Sequence, residues 1–177
     1  MMWRSGRYPY LETPAFQAIN LAYTGGQLSM YIFLPREGAS LVMARWGTWL
    51  PQFRTAYVEL ALPRFSVTCA LDVAGSLGGL GLDVLFQPGA DFSRMGLAGS
   101  FISGIKHKAH IEVSEAGTEA SASSAVLMGR SLTPVRSMTV DRPFLLAIYD
   151  RRCRLLLFIG KIVEPEPVGP AGSGATG

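Results

Sequence analysis

Apolar side chains return at every second position in one segment after another of this chain, a rhythm that commits it to β-structure. Ile19, Leu21 and Tyr23 alternate, and Leu28, Met30, Ile32 and Leu34 do so again after Thr24-Gly25-Gly26-Gln27. The Gly-Gly pair supplies the positive φ angles of a tight turn, so residues 15–34 are expected to form a β-hairpin. Val58, Leu60 and Leu62 repeat the pattern; Pro63 interrupts it, and Phe65, Val67 and Cys69 resume it. Residues 101–113 give the longest candidate strand. Ile105, His107, Ala109, Ile111 and Val113 are expected to face inward, and Lys106, Lys108, His110 and Glu112 outward. On that face His107 reads as a core histidine rather than a catalyst, since a buried ring needs a hydrogen-bond partner. Two further runs, residues 144–149 and 154–163, are apolar on both faces, which predicts central, buried strands.

Helical signals are few. Val42, Trp46, Trp49, Leu50 and Phe53 make the apolar stripe of a short helix that Pro51 ends or kinks, and the tryptophans read as core. Asp72 is placed to cap a weak helical turn. The glycine-rich residues 75–81 neither follow a strand nor open a long helix as a phosphate loop would, so they read as a turn. The pattern as a whole is α+β and predominantly antiparallel β.

Composition narrows the function. At 177 residues, 49% apolar and 16% charged, the chain can bury a core. A net charge of +3 without a basic run argues against a nucleic-acid partner. No apolar run approaches the ~20 residues of a membrane helix, so no membrane partner is expected. Cys69 and Cys153 read as buried thiols rather than a disulfide framework. Two histidines and two scattered cysteines do not make a metal site, and no cofactor is implied. His107 and His110 are the available general bases, and no Gly-x-Ser-x-Gly elbow accompanies them, so the chain is not expected to be an enzyme. The N-terminus shows no signal peptide. Residues 167–177, rich in Pro, Gly and Ala, are expected to form a disordered tail behind a domain spanning 1–166.

One segment fits neither core nor linker. Gly117-Thr-Glu-Ala-Ser-Ala-Ser-Ser124 has almost no apolar bulk, yet it lacks proline, and glycine is absent until Gly129. At period two, Thr118, Ala120, Ala122, Ser124, Val126 and Met128 share one face, and Glu119, Ser121, Ser123 and Ala125 the other. The first set is small and uncharged. Such a segment can stay exposed alone and still enter a sheet, with Gly117 as the hinge. Composition by itself favours a plain surface loop.

These residues resemble a known family. His107-Lys-Ala-His-Ile-Glu-Val-Ser-Glu-Ala-Gly-Thr-Glu-Ala120 is similar to the serpin strand and hinge that lead into the reactive-centre loop. Val140-Asp-Arg-Pro-Phe-Leu-Leu-Ala-Ile148 resembles the segment after the loop, and Phe158-Ile-Gly-Lys-Ile-Val-Glu-Pro165 the closing strand. Residues 25–35 and 58–65 match further upstream, in the family's order. The resemblance implies the C-terminal half of the serpin fold: sheets B and C, part of sheet A, and the reactive-centre loop. It implies a serine-protease inhibitor that acts as a suicide substrate. The loop is cleaved, the protease is acylated, and the loop inserts into the central sheet. Loop hinge residues would then be Glu115, Gly117, Thr118, Glu119, Ala120, Ala122 and Ser124. One hinge position usually acidic in the family is Ala116 here.

The family's usual spacing from the hinge glycine points to Ser131–Leu132 as the scissile bond; a loop one residue shorter points to Arg130–Ser131. The Gly-Arg-Ser-Leu context resembles an antithrombin-type reactive bond and favours Arg130–Ser131, hence a trypsin-like protease with a preference for Arg. An extracellular setting is implied by resemblance. The resemblance also implies that the family's N-terminal helices and the strands receiving the loop are missing. That leaves three expectations beside inhibition: a non-inhibitory carrier or chaperone-like serpin, an inactive truncated product, and aggregation or loop–sheet polymerisation through an unpaired edge.

Overall fold

A computed structural model describes residues 1–39, 46–114 and 135–164. Among them lie nine strands: β1 (Met2–Glu12), β2 (Phe16–Ala22), β3 (Leu28–Pro35), β4 (Arg54–Leu62), β5 (Phe65–Asp72), β6 (Lys106–Val113), β7 (Arg136–Thr139), β8 (Phe144–Asp150) and β9 (Leu155–Ile162). Helices are single turns, α1 (Trp46–Trp49) and α2 (Ala74–Leu77). The chain divides into two compact units, residues 1–66 with 112–177, and residues 67–111.

The first unit is built on a seven-stranded sheet in the order β7-β4-β1-β2-β3-β8-β9. Every pairing is antiparallel except that of β4 with β7. The expected hairpin is present as β2 and β3, with Ala18 opposite Phe33 and Ile19 opposite Ile32. Its turn works as the sequence indicates: Gly25 and Gly26 take φ of 88° and 67°, which a side chain would strain. The sheet is apolar on both faces at its centre. Ile19, Ile32 and Leu146 line one face. Phe16, Ala18, Tyr31, Phe33 and Ala147 line the other, packed by Trp46 and Trp49. The tryptophan stripe is thus core: the Trp46 ring lies 4.9 Å from that of Tyr31, and Trp49 4.9 Å from Phe16. Each such pair adds about 0.5–1.5 kcal/mol beyond area burial. Pro51 lies in the 3-10 turn Leu50–Gln52 that ends α1.

Several elements differ from the sequence reading. β1, the longest described strand, alternates in burial from Met2 to Tyr10, but its sequence carries no clean apolar alternation: Arg4 and Gly6 share the face of Met2. Its order comes from pairing along its length with β4, from Met2 opposite Leu62 to Tyr10 opposite Arg54. β7 has four residues, too few for a periodic signal. The strand expected over 101–113 begins only at Lys106. β8 is internal and buried as its composition predicts, but β9 is not. It ends the sheet, and Leu155 through Ile159 are all exposed, because no described strand pairs with its outer edge. Cys69 and Cys153 are likewise exposed free thiols: Cys69 lies on the outer part of β5, and Cys153 in the turn between β8 and β9.

The second unit holds most of β5 and β6, which form a two-stranded sheet, joined by short helical turns. Asp72 Oδ1 accepts from the Ala74 N–H at 3.0 Å, the expected cap. The glycine-rich residues fold into α2 and a π-type turn, Gly78–Leu82, in which Gly81 takes φ 89°. No described helix is long and apolar enough to cross a membrane.

Candidate functional site

The candidate hinge residues Glu115, Gly117, Thr118, Glu119, Ala120, Ala122 and Ser124, and the candidate bonds at Arg130, Ser131 and Leu132, lie outside the described residues. The flanks of that segment are described. β6 delivers the chain to it through Glu112, Val113 and Ser114, which belong to the first unit. Val113 is buried and lines a small apolar recess with Met2, Leu21, Met30, Leu60 and Leu62. Among the described residues that line it, Arg4 carries the one charged side chain.

On the far side the chain returns at Val135 and pairs as β7, with Leu60 opposite Met138 and Ala61 opposite Thr139. The Val140 N–H continues the ladder to the Ala61 carbonyl at 2.8 Å. Met138 and Val140 are fully buried. Polar contacts add to this seat. The Gln17 Nε2 donates to the Ser137 carbonyl at 3.1 Å and to the Tyr10 hydroxyl at 2.8 Å. Glu12 holds two cations, Arg36 at 2.8 Å and Arg136 at 3.4 Å. Burial first, and then the Glu12 carboxylate, push the Tyr10 hydroxyl above its ordinary pKa, so it remains a neutral hydrogen-bonding group. Further along, Arg142 Nε donates to the Pro35 carbonyl at 2.9 Å.

His107 does not occupy a core position. It is exposed on β6, although Ile105, Ala109 and Ile111 on the same face are half-buried and Val113 is buried. His110 Nδ1 lies 2.9 Å from the Thr68 hydroxyl, a cross-strand hydrogen bond. Among the described residues, no group of three or more His, Cys, Asp or Glu is arranged to hold a metal ion.

A sequence profile of the serpin (serine protease inhibitor) family matches residues 1–165. Neuroserpin from Gallus gallus is 30% identical over 97% of this chain, and a serpin-like protein from Thermococcus kodakarensis is 32% identical over 94%. The matches cover 46% and 41% of those relatives. Among solved structures, thyroxine-binding globulin in complex with thyroxine superposes with a TM-score of 0.75 at 28% identity, over 93% of this chain and 46% of that one. The chain belongs to the serpin family. It spans somewhat under half the length of the relatives it matches, and serpins are in general protease inhibitors rather than enzymes.

Proposed function

We propose that the chain is the C-terminal half of an inhibitory serpin, comprising sheets B and C and part of sheet A, and that residues 115–134 are its bait for a trypsin-like serine protease. The protease serine attacks the Arg130 carbonyl. An ester to Arg130 forms, the Arg130–Ser131 peptide bond breaks, and the new amino group leaves on Ser131. The freed segment from Gly117 to Arg130 then enters the central sheet and drags the acylated protease with it. An Arg side chain at that bond fits a pocket ending in a carboxylate. On this reading the working setting is extracellular.

The observation that carries the reading is the separate seating of the two flanks. Val113 is buried before the segment, and Met138 and Val140 are buried after it. A cut between them frees one new end on each side while both roots stay held. The small residues Ala120 and Ala122 favour insertion, since a ladder bond contributes only about 0.5–1.5 kcal/mol net and one forced clash cancels it.

The test uses a full-length version containing both halves, mixed with trypsin. A denaturant-stable complex joined at Arg130, located by mass spectrometry, is expected. Turnover of the loop as a plain substrate would refute the proposal. The likeness to thyroxine-binding globulin favours a second reading, a non-inhibitory carrier. Heat stability before and after loop cleavage separates the two: an inhibitor gains much, a carrier little.

A further inference from the structure

The proposed bait is one of several places where this chain offers arginine to a trypsin-like protease. The densest of them is the turn between β8 and β9, where Arg151, Arg152 and Arg154 are exposed within four residues. The bonds after these three carry the side chain that a pocket ending in a carboxylate accepts. Exposed turn tips are also where proteases most readily nick a folded chain. Yet the backbone of this turn is tied at each residue from Arg151 to Cys153. The Arg151 N–H donates to the Gln27 carbonyl at 2.9 Å. The Arg152 and Cys153 N–H groups both donate to Asp150 Oδ1, at 2.7 and 2.9 Å. Gln27 Nε2 donates to Asp150 Oδ2 at 3.1 Å and so braces the carboxylate. Arg154 completes the turn at φ 58°, the one left-handed residue other than glycine among those described.

We propose that Asp150 and Gln27 form a clasp that keeps arginine-specific proteases from cutting the β8–β9 turn, and so directs them to the bait. A protease draws the chain through its cleft in extended form, and a folded segment is cut from a locally opened state. Opening here must break the three N–H bonds and swing Arg154 out of its left-handed conformation. Asp150 is thus a positioning residue, which acts through the backbone of the arginines that follow it. The purpose of the clasp rests on the proposed function, since a protease drawn to Arg130 is the one the turn must resist. Its geometry uses neither the bait nor insertion.

The experiment is limited digestion of the full chain with trypsin, with the fragments followed over time by mass spectrometry. Asp150→Ala removes both acceptor oxygens. Cleavage after Arg151, Arg152 or Arg154 is then expected to speed up by on the order of 10- to 100-fold, as for the loss of two or three hydrogen bonds. Gln27→Ala leaves the carboxylate in place and should give a smaller rise. Asp150→Asn keeps one acceptor oxygen and should restore most of the protection. New cuts in Asp150→Ala should be confined to the turn, with the bonds after Arg7 and Arg54, in the paired strands β1 and β4, no more open than before. Equal turn cleavage in the parent and in Asp150→Ala would overturn the proposal. An Asp150→Ala chain cut throughout would make Asp150 a general support of the fold and overturn it as well. An uncut Arg130 bond alongside the expected turn pattern would remove the bait reading and leave the clasp standing.

Discussion

Single side chains set the conditions on both the proposed bait and the sheet that carries its flanks. Ala122 is the residue on which insertion is expected to turn. If the proposed function holds, Ala122→Arg in a full-length version should give cleaved loop and active protease in place of a trapped complex, read on a denaturing gel. A charge on the inserting face must be desolvated, and insertion then fails to outrun hydrolysis of the ester. Asp150 governs acid stability. It is 8% exposed overall, yet hydrogen bonds rather than burial set its carboxyl. The Cys153 N–H at 2.9 Å, the Gln27 side chain at 3.1 Å and the Arg152 N–H at 2.7 Å hold its pKa below the ordinary 3.8. A depressed carboxyl stabilises the fold above its unfolded pKa of about 3.9, and that contribution is lost as pH falls through the lower folded value. Asp150→Asn should therefore lower the melting temperature at pH 7, and the difference from the parent should shrink below about pH 4.

At the scale of elements, two kinds of force hold β7, and their sizes differ. The Glu12 ion pairs join side chains that are one-third to one-half exposed, so Glu12→Gln should cost at most about 1 kcal/mol. Met138 is fully buried, and Met138→Ala should cost about 2–5 kcal/mol. Denaturant midpoints of the two variants check the ranking, and an equal or larger loss for Glu12→Gln would reverse it. Such elements also mark what the sequence made legible. The hairpin β2–β3 could be read because Gly25-Gly26 fixes its turn and both strands alternate. Strands β4 and β5 could be read because Pro63 separates two clean periods. β1 was hidden because its partners, not its own pattern, order it, and β7 because four residues carry no period. β9 was misread: its composition is that of an interior strand, yet among the described strands it ends the sheet and Leu155 through Ile159 are exposed. The proposed bait lies outside the described residues, and in the sequence it stands out only as a segment too small for a core and too free of glycine to be a linker.

For the whole molecule, the proposed inhibition would require more than the residues that carry the proposed bait. The chain by itself is expected to be cleaved by trypsin without forming a covalent complex, whereas the full-length version should trap the enzyme. Nicking that version at Arg130 should also raise its resistance to heat, measured by scanning calorimetry, since the inserted strand completes a sheet. Strand order adds one more consequence. The described strands after the proposed bait, β7 through β9, lie on opposite flanks of the same sheet, β7 beyond β4 and β8–β9 beyond β3. Once severed, that C-terminal piece grips the other strands like a bracket, and it can depart only by letting go at both ends together. A cut molecule should therefore run as a single species on gel filtration and fall into two bands only when denatured.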